Sequence, residues 1–140
     1  MACAGAGVTI TRCVFESNGG PEAGAVFAEL CEGRGFDAEA AANDPELGVK
    51  IPKDEDIAGL NRRAAYAPVY VVKDGGDIQQ YILPVRGKGL WSTLYGYLSV
   101  APDGNTVAGL RFYEHAETPG LGDKIELPSF KKNFAGMYIF

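Results

Sequence analysis

Two glycine-studded runs carry the residues most able to do chemistry. The first, Arg86-Gly87-Lys88-Gly89-Leu90-Trp91-Ser92, combines two cationic donors with the only tryptophan of the chain. The second, Glu117-Thr118-Pro119-Gly120-Leu121-Gly122-Asp123, follows about thirty residues later with a carboxylate, a hydroxyl, a leucine and two glycines. Glycines let a backbone approach a flat ligand closely, and Gly120 and Gly122 are read as offering N–H groups to it. Trp91 would supply a stacking face. Two readings stay open at this level: a ligand-binding pair of loops, or a core tryptophan and an ordinary Pro119-Gly120 turn. The stretch between the runs reads as a strand hairpin, so the two loops are expected to face one pocket.

Other chemistries fail on spacing. Gly87-Lys88-Gly89 holds a lysine without the Walker pattern, and Gly5-Ala6-Gly7 lacks the third glycine of a dinucleotide fingerprint. His115 is the single histidine, and no G-x-S-x-G occurs, which leaves a hydrolase without a nucleophile and base. Glu114, His115 and Glu117 are too close together at a strand end to converge on one ion, so no metal site is assigned. No side chain receives a catalytic role. A net charge of −5 with scattered Lys and Arg argues against nucleic acid as a partner. Cys3, Cys13 and Cys31 have no C-x-x-C spacing and are read as free thiols, with a Cys3–Cys13 disulfide open in an oxidising compartment. No apolar run nears the roughly twenty residues that span a bilayer, and residues 1–15 lack the basic start of a signal peptide.

The elements that must position the loops are strands. One hundred and forty residues make one domain's worth of chain. Residues 67–73 are β-branched and aromatic, and Asp74-Gly75-Gly76-Asp77 turns them into a second strand over 78–85. Residues 93–101 alternate, Pro102-Asp103-Gly104-Asn105 turns, and 106–113 returns. Gly96 marks a bulge or a close backbone approach. Short helices are expected over 21–31, 37–42 and 129–134, with Pro128 opening the last. Asn43-Asp44-Pro45 stops the second of them, and the acids 54–56 cap a turn over 57–65. The expected fold is α+β: an antiparallel sheet of consecutive hairpins with helices packed on it.

From about residue 36 onward the chain resembles a known family, the NqrC proteins of the bacterial sodium-translocating NADH:quinone oxidoreductase. The resemblance lies in N-D-P-x-L at 43–47, R-R-A-x-Y-A-P-V-Y at 62–70, I-L-P-V-R-G-K-G-L-W-S-T-L-Y-G at 82–96, P-D-G-N-T-V at 102–107 and Y-E-H-A-E-T-P-G-L-G at 113–122. It implies an FMN-binding domain on the periplasmic side of the inner membrane. That domain would relay electrons within a complex of several subunits that oxidises NADH, reduces quinone and exports sodium. The mix of apolar faces and polar rim groups is what an isoalloxazine ring needs. The resemblance assigns the cofactor contacts to Trp91, Glu117, Thr118, Gly120, Leu121 and Gly122, and places NADH and quinone on other subunits.

Two departures accompany it. Residues 1–35 form an atypical N-terminal segment with no match to the family and no membrane anchor, leaving 36–140 as the front part of the domain. The family joins its FMN through a threonine in an S-G-A-T-like motif, and no Ser-Gly-Ala run occurs here. The expectation is therefore a chain truncated at both ends, carrying FMN without its covalent threonine. The alternative expectation is a non-catalytic α+β interaction module, or a relic that holds no flavin.

Overall fold

The computed structural model describes residues 8–16 and 38–140. Five strands form one antiparallel sheet: β1 (Val8–Glu16), β4 (Tyr66–Asp74), β5 (Asp77–Lys88), β6 (Thr93–Val100) and β7 (Val107–Glu114), in the order β1-β4-β5-β6-β7. Between β1 and β4 the chain makes a short helix α1 (Ala38–Asn43) and a small second sheet of β2 (Gly48–Lys50) and β3 (Arg62–Ala64). After β7 come a 3-10 helix (Gly122–Glu126) and α2 (Pro128–Lys131).

The two expected hairpins are present, and β5 pairs with β6 to join them into one meander. Gly75 and Gly76 turn the first hairpin with φ of 58° and 98°, values that L side chains rarely adopt. Asp103 organises the second turn. Its carboxylate accepts the Thr106 hydroxyl at 2.5 Å, the Thr106 N–H at 2.8 Å and the Asn105 N–H at 2.9 Å. Those bonds, the Thr106 hydroxyl first, hold its pKa below the usual carboxylate value. A lowered folded-state pKa means that this contribution is present above the ordinary carboxylate range and disappears as pH falls through the lowered value. Gly96 sits at the expected bulge, where the β6–β7 register shifts between Tyr95 and Gly96. A Cβ there would meet the Arg111 carbonyl at 2.7 Å, so the close approach is real.

Proline shapes the sheet where the site lies. Pro84 has no N–H to give to β4, and the β4–β5 ladder ends two residues earlier at Tyr70↔Ile82. Beyond that point β5 stays paired with β6 through Lys88↔Thr93. Its open side is taken by the 57–62 loop instead: the Lys88 N–H donates to the Ala58 carbonyl at 2.8 Å, and the Arg86 guanidinium to the Arg62 carbonyl at 3.3 Å. Strand β5 therefore runs three residues past its expected end, because this loop continues the job that β4 leaves off.

The turn expected over 57–65 forms only in part. Asp56 does cap it, accepting the Leu60 and Asn61 N–H groups at 2.8 and 2.7 Å. The chain then extends into β3, which pairs with β2. Helix α1 lies one residue later than expected and ends on Arg62, whose guanidinium donates to the carbonyls of Ala42 (2.8 Å), Gly48 (3.2 Å) and Asp44 (3.3 Å). One side chain thus satisfies orphan carbonyls at a helix end and holds β2 beside it. The last helix is shorter than expected, and the Phe130 ring within it lies 5.3 Å from that of Phe134 beyond its end. The tail folds back so that Thr106 bridges Tyr138 and the Val107 N–H donates to Met137.

Among the described residues the buried apolar side chains fall in two groups: Ala41, Ala42 and Ala64 where α1 meets β3, and Val71, Val72, Val100 and Val107 within the sheet. Strand β1 was not anticipated, and it pairs along its whole length with β4, from Val8↔Asp74 to Glu16↔Tyr66. The helix expected over 21–31 and the Cys3–Cys13 pairing lie outside the described residues. Among the described residues no helix is long and apolar enough to cross a membrane.

Candidate functional site

Both glycine runs leave the sheet at the same end. The first connects β5 to β6 and the second follows β7, and since β6 lies between β5 and β7, its N-terminal end brings the two corners together. Three hydrogen bonds then join them. The Trp91 indole N–H donates to Thr118 Oγ1 at 3.0 Å, the Leu90 N–H to Glu117 Oε1 at 3.0 Å, and the Ala116 N–H to Ser92 Oγ at 3.0 Å.

Glu117 is the centre of this junction. Its carboxylate lies where no side chain could fit at the flanking glycines. A Cβ on Gly89 would come within 2.5 Å of Oε1, and one on Gly122 within 2.7 Å of Oε2. Two of the glycines that drew attention in the sequence are therefore spaced around a carboxylate of the protein itself. The Glu117 N–H in turn donates to His115 Nδ1 at 3.2 Å, which leaves Nε2 as the protonated nitrogen facing Glu126 Oε1 at 3.0 Å. His115 serves the loop as a spacer. No group of three or more metal-ligating side chains is gathered among the described residues.

The second run begins as a tight turn. The Leu121 N–H returns to the Thr118 carbonyl at 3.1 Å, with Pro119 at its first corner and Gly120 at φ 79° in its second. That is the residue pattern of a type II turn. Gly122 also donates to the Thr118 carbonyl, at 3.0 Å, so its N–H is spent inside the loop rather than offered outward. Gly120 has open space around it.

Trp91 is not core. It is 68% exposed, and Leu90 and Leu121 are 78% and 70% exposed on the same pair of loops. An indole held by its N–H yet bare on its faces is pre-oriented for stacking. It borders a cavity of about 380 Å³, within the size range of small-molecule sites, lined by the run from Gly89 to Thr93 with Tyr95, and by Glu39, Ala42, Asn43, Gly59, Leu60 and Arg62. Arg86 and Lys88 complete its wall. Of the six residues expected to touch a cofactor, Trp91 alone lines this space; Glu117, Thr118, Gly120, Leu121 and Gly122 do not, and the second loop is tied to it through the bonds from Trp91 to Thr118 and from Leu90 to Glu117.

A second cavity of about 480 Å³ opens on the sheet face beside it and shares Glu39, Arg86 and Tyr95 with the first. Tyrosines dominate it. Tyr97 and Tyr113 stack at 5.0 Å, Tyr95 lies 6.3 Å from Tyr113, and Tyr70 meets Tyr97 edge-on at 6.4 Å. Between the two cavities the Tyr95 hydroxyl donates to Glu39 Oε2 at 2.6 Å. That bond to a carboxylate, helped by burial, raises the Tyr95 pKa. Burial first, and then the nearby Tyr97 and Glu114, raise that of Tyr113. Sequence reasoning missed Glu39 and Arg62 as site residues, because neither belongs to a glycine run and both arrive through long-range packing of α1 and β3.

Known proteins resemble this chain in sequence and in fold. Residues 89–138 match the family described as FMN-binding domain, a span that holds Trp91 and the whole second loop. The NqrC component of the Na(+)-translocating NADH-quinone reductase of Pseudomonas aeruginosa is 46% identical over 114 residues, covering 81% of this chain and 44% of that protein. Its counterpart in Pasteurella multocida is 47% identical over 107 residues, covering 76% and 41%. The crystal structure of Shewanella oneidensis NqrC matches with a TM-score of 0.74 at 36% identity, over 94% of this chain and 58% of that one. The chain spans about two fifths of the length of the curated relatives it matches. It resembles NqrC over most of its own length, and its α+β architecture is that of the solved relative.

Proposed function

We propose that residues 36–140 form an FMN-binding domain and that the chain acts as the flavin-carrying, electron-relaying subunit of a sodium-translocating NADH:quinone oxidoreductase. The observation that carries this reading is the 3.0 Å bond from Trp91 to Thr118, which ties the two glycine loops together and leaves the indole face exposed beside a cavity. When bound, FMN supplies reversible electron transfer. The chain supplies the rest: Trp91 stacks on the ring, Leu121 closes over an edge, and the Thr118 hydroxyl and Gly120 N–H meet its polar rim. Glu117 and Gly122 hold the loops in register.

The family name shared by the relatives supports the wider reading. NADH oxidation, quinone reduction and sodium export are then properties of the complex, and the partners of this chain are its other subunits. Its place is the periplasmic side of a bacterial inner membrane.

Titration of the purified chain with FMN, followed by quenching of flavin fluorescence, tests the site. We expect saturable quenching, weakened about tenfold by Trp91→Ala through lost stacking and a few-fold by Thr118→Ala. Unchanged affinity in both variants would remove the assignment.

A further inference from the structure

We propose that His115 is the positioning residue of the Trp91–Thr118 junction, that it holds the second glycine loop only as a neutral imidazole, and that the junction loosens when the ring takes up a proton. The consequence for a ligand rests on the flavin reading of Trp91, whereas the positioning role belongs to the chain alone. His115 stands directly after β7, and Glu126 closes the 3-10 helix eleven residues later. Their 3.0 Å contact fastens the base of the loop that carries Glu117, Thr118, Gly120, Leu121 and Gly122. On the other side of the ring, Nδ1 accepts the Glu117 N–H at 3.2 Å. One imidazole therefore clasps both the base of the loop and the residue at its centre.

The protonation state decides whether both halves of the clasp can hold. A neutral imidazole has one donor and one acceptor, and a backbone N–H can only donate. The two contacts together require a proton on Nε2 and none on Nδ1. An imidazolium carries N–H on both nitrogens, so its Nδ1–H would face the Glu117 N–H, donor against donor. The Glu126 side gains at the same moment, because its carboxylate then meets a cation. Protonation thus keeps the ring at Glu126 and drives the Glu117 peptide away. The His115 side chain is only 12% exposed, so water replaces the lost partner poorly.

Movement of Glu117 reaches Trp91 by two routes. The Glu117 carboxylate accepts the Leu90 N–H at 3.0 Å, one residue before the indole, and Thr118, one residue after Glu117, accepts the indole N–H itself at 3.0 Å. The charges around the ring come from three directions. On its own segment Glu114 and Glu117 flank it, and the 3-10 helix adds Asp123 and Lys124 to Glu126. Helix α2, which packs on β7 as the 3-10 helix does, carries Lys131, and the neighbouring strand β6 brings Tyr95 opposite Glu114. Among the described residues, the side-chain charge bonded to the ring is that of Glu126.

His115 is the only histidine and Trp91 the only tryptophan, so each can be followed by itself. All readings are taken on the full chain without flavin, and their outcome is therefore separate from that of the flavin titration. Imidazole nitrogen NMR at about pH 8, where a histidine is neutral, should show one fixed tautomer protonated at Nε2. An averaged pair of tautomers, or a ring protonated at Nδ1, would overturn the clasp. Between about pH 8 and pH 5 the Trp91 emission should change in one step that tracks the ring's own titration in the same spectra. His115→Asn keeps an acceptor near the Nδ1 position but cannot titrate, and it should hold the high-pH emission throughout. His115→Leu, which has no acceptor, should show the low-pH emission at every pH. Glu126→Gln should move the step to lower pH, because the imidazolium loses its carboxylate. Emission that stays flat while the parental ring titrates, or a step that persists in His115→Asn, would overturn the proposal, and both of these stand even if the leucine variant does not fold.

Discussion

Gly48→Ala is expected to destabilise this chain by about 3 kcal/mol, lowering its melting temperature by roughly 10 °C. A Cβ at Gly48 would lie 2.7 Å from the Asp44 carbonyl and 2.7 Å from Arg62 Nη2, and closer still to the Ala42 carbonyl. Backbone carbonyls on two sides leave no soft neighbour to yield. The methyl group must therefore displace either α1 or the Arg62 guanidinium, which makes three hydrogen bonds there. Charge-assisted bonds of this kind contribute about 1.5–3 kcal/mol each and do not add fully. Arg62→Met, which keeps much of the stem and removes the donors, should produce a loss of similar size. Gly109→Ala is the control, since a Cβ there meets nothing within 4 Å. Thermal melts followed by circular dichroism would settle the matter, and equal midpoints for Gly48→Ala and Gly109→Ala would refute the account.

Gly89→Ala should reduce FMN affinity about thirtyfold while leaving the melting temperature within a few degrees of the parent. Its Cβ would sit 2.5 Å from Glu117 Oε1 and 2.8 Å from the Ser92 carbonyl. The carboxylate must withdraw, the Leu90 N–H loses its acceptor, and Trp91 is no longer held against Thr118. The loss corresponds to about 2 kcal/mol of pre-organisation rather than to any direct ligand contact. Glu117→Ala should imitate it, whereas Glu117→Gln keeps an acceptor for Leu90 and should cost much less. Since Trp91 is the only tryptophan, its emission reports the junction independently of flavin. A Gly89→Ala variant with parental emission and parental affinity would show that the loops do not depend on each other.

The sheet was legible where side-chain alternation and turn chemistry agree, as in residues 67–113. Gly75-Gly76, Asp103 and Gly96 each did what their types suggest. Strand β1 escaped notice because its β-branched run, Val8-Thr9-Ile10-Thr11, is embedded in Gly- and Ala-rich flanks, and only pairing with β4 gives it a role. The three-residue strands β2 and β3 are too short to show a period. Within the site, residue type pointed to Trp91 and Thr118, whose bond is present. It misassigned the N–H of Gly122, which closes onto Thr118, because a glycine needed by a neighbouring carboxylate looks like one needed by a ligand. Glu39 and Arg62 reach the cavity from elsewhere in the chain, and no local pattern announces that.

The strand order also sets a sequence of events in time. Strands β4 to β7 pair with chain neighbours across short turns, whereas β1 reaches β4 over a gap of some fifty residues, from Glu16 to Tyr66. Closing so long a loop costs more entropy than closing a hairpin, and it yields contacts only once β4 exists to be paired. The meander should therefore be complete, with both glycine corners already at one end of β6, before the first strand docks. Pulse-labelled hydrogen exchange during refolding should protect β5 and β6 amides ahead of those in Val8–Glu16; simultaneous protection would mean that the long loop closes in the nucleus.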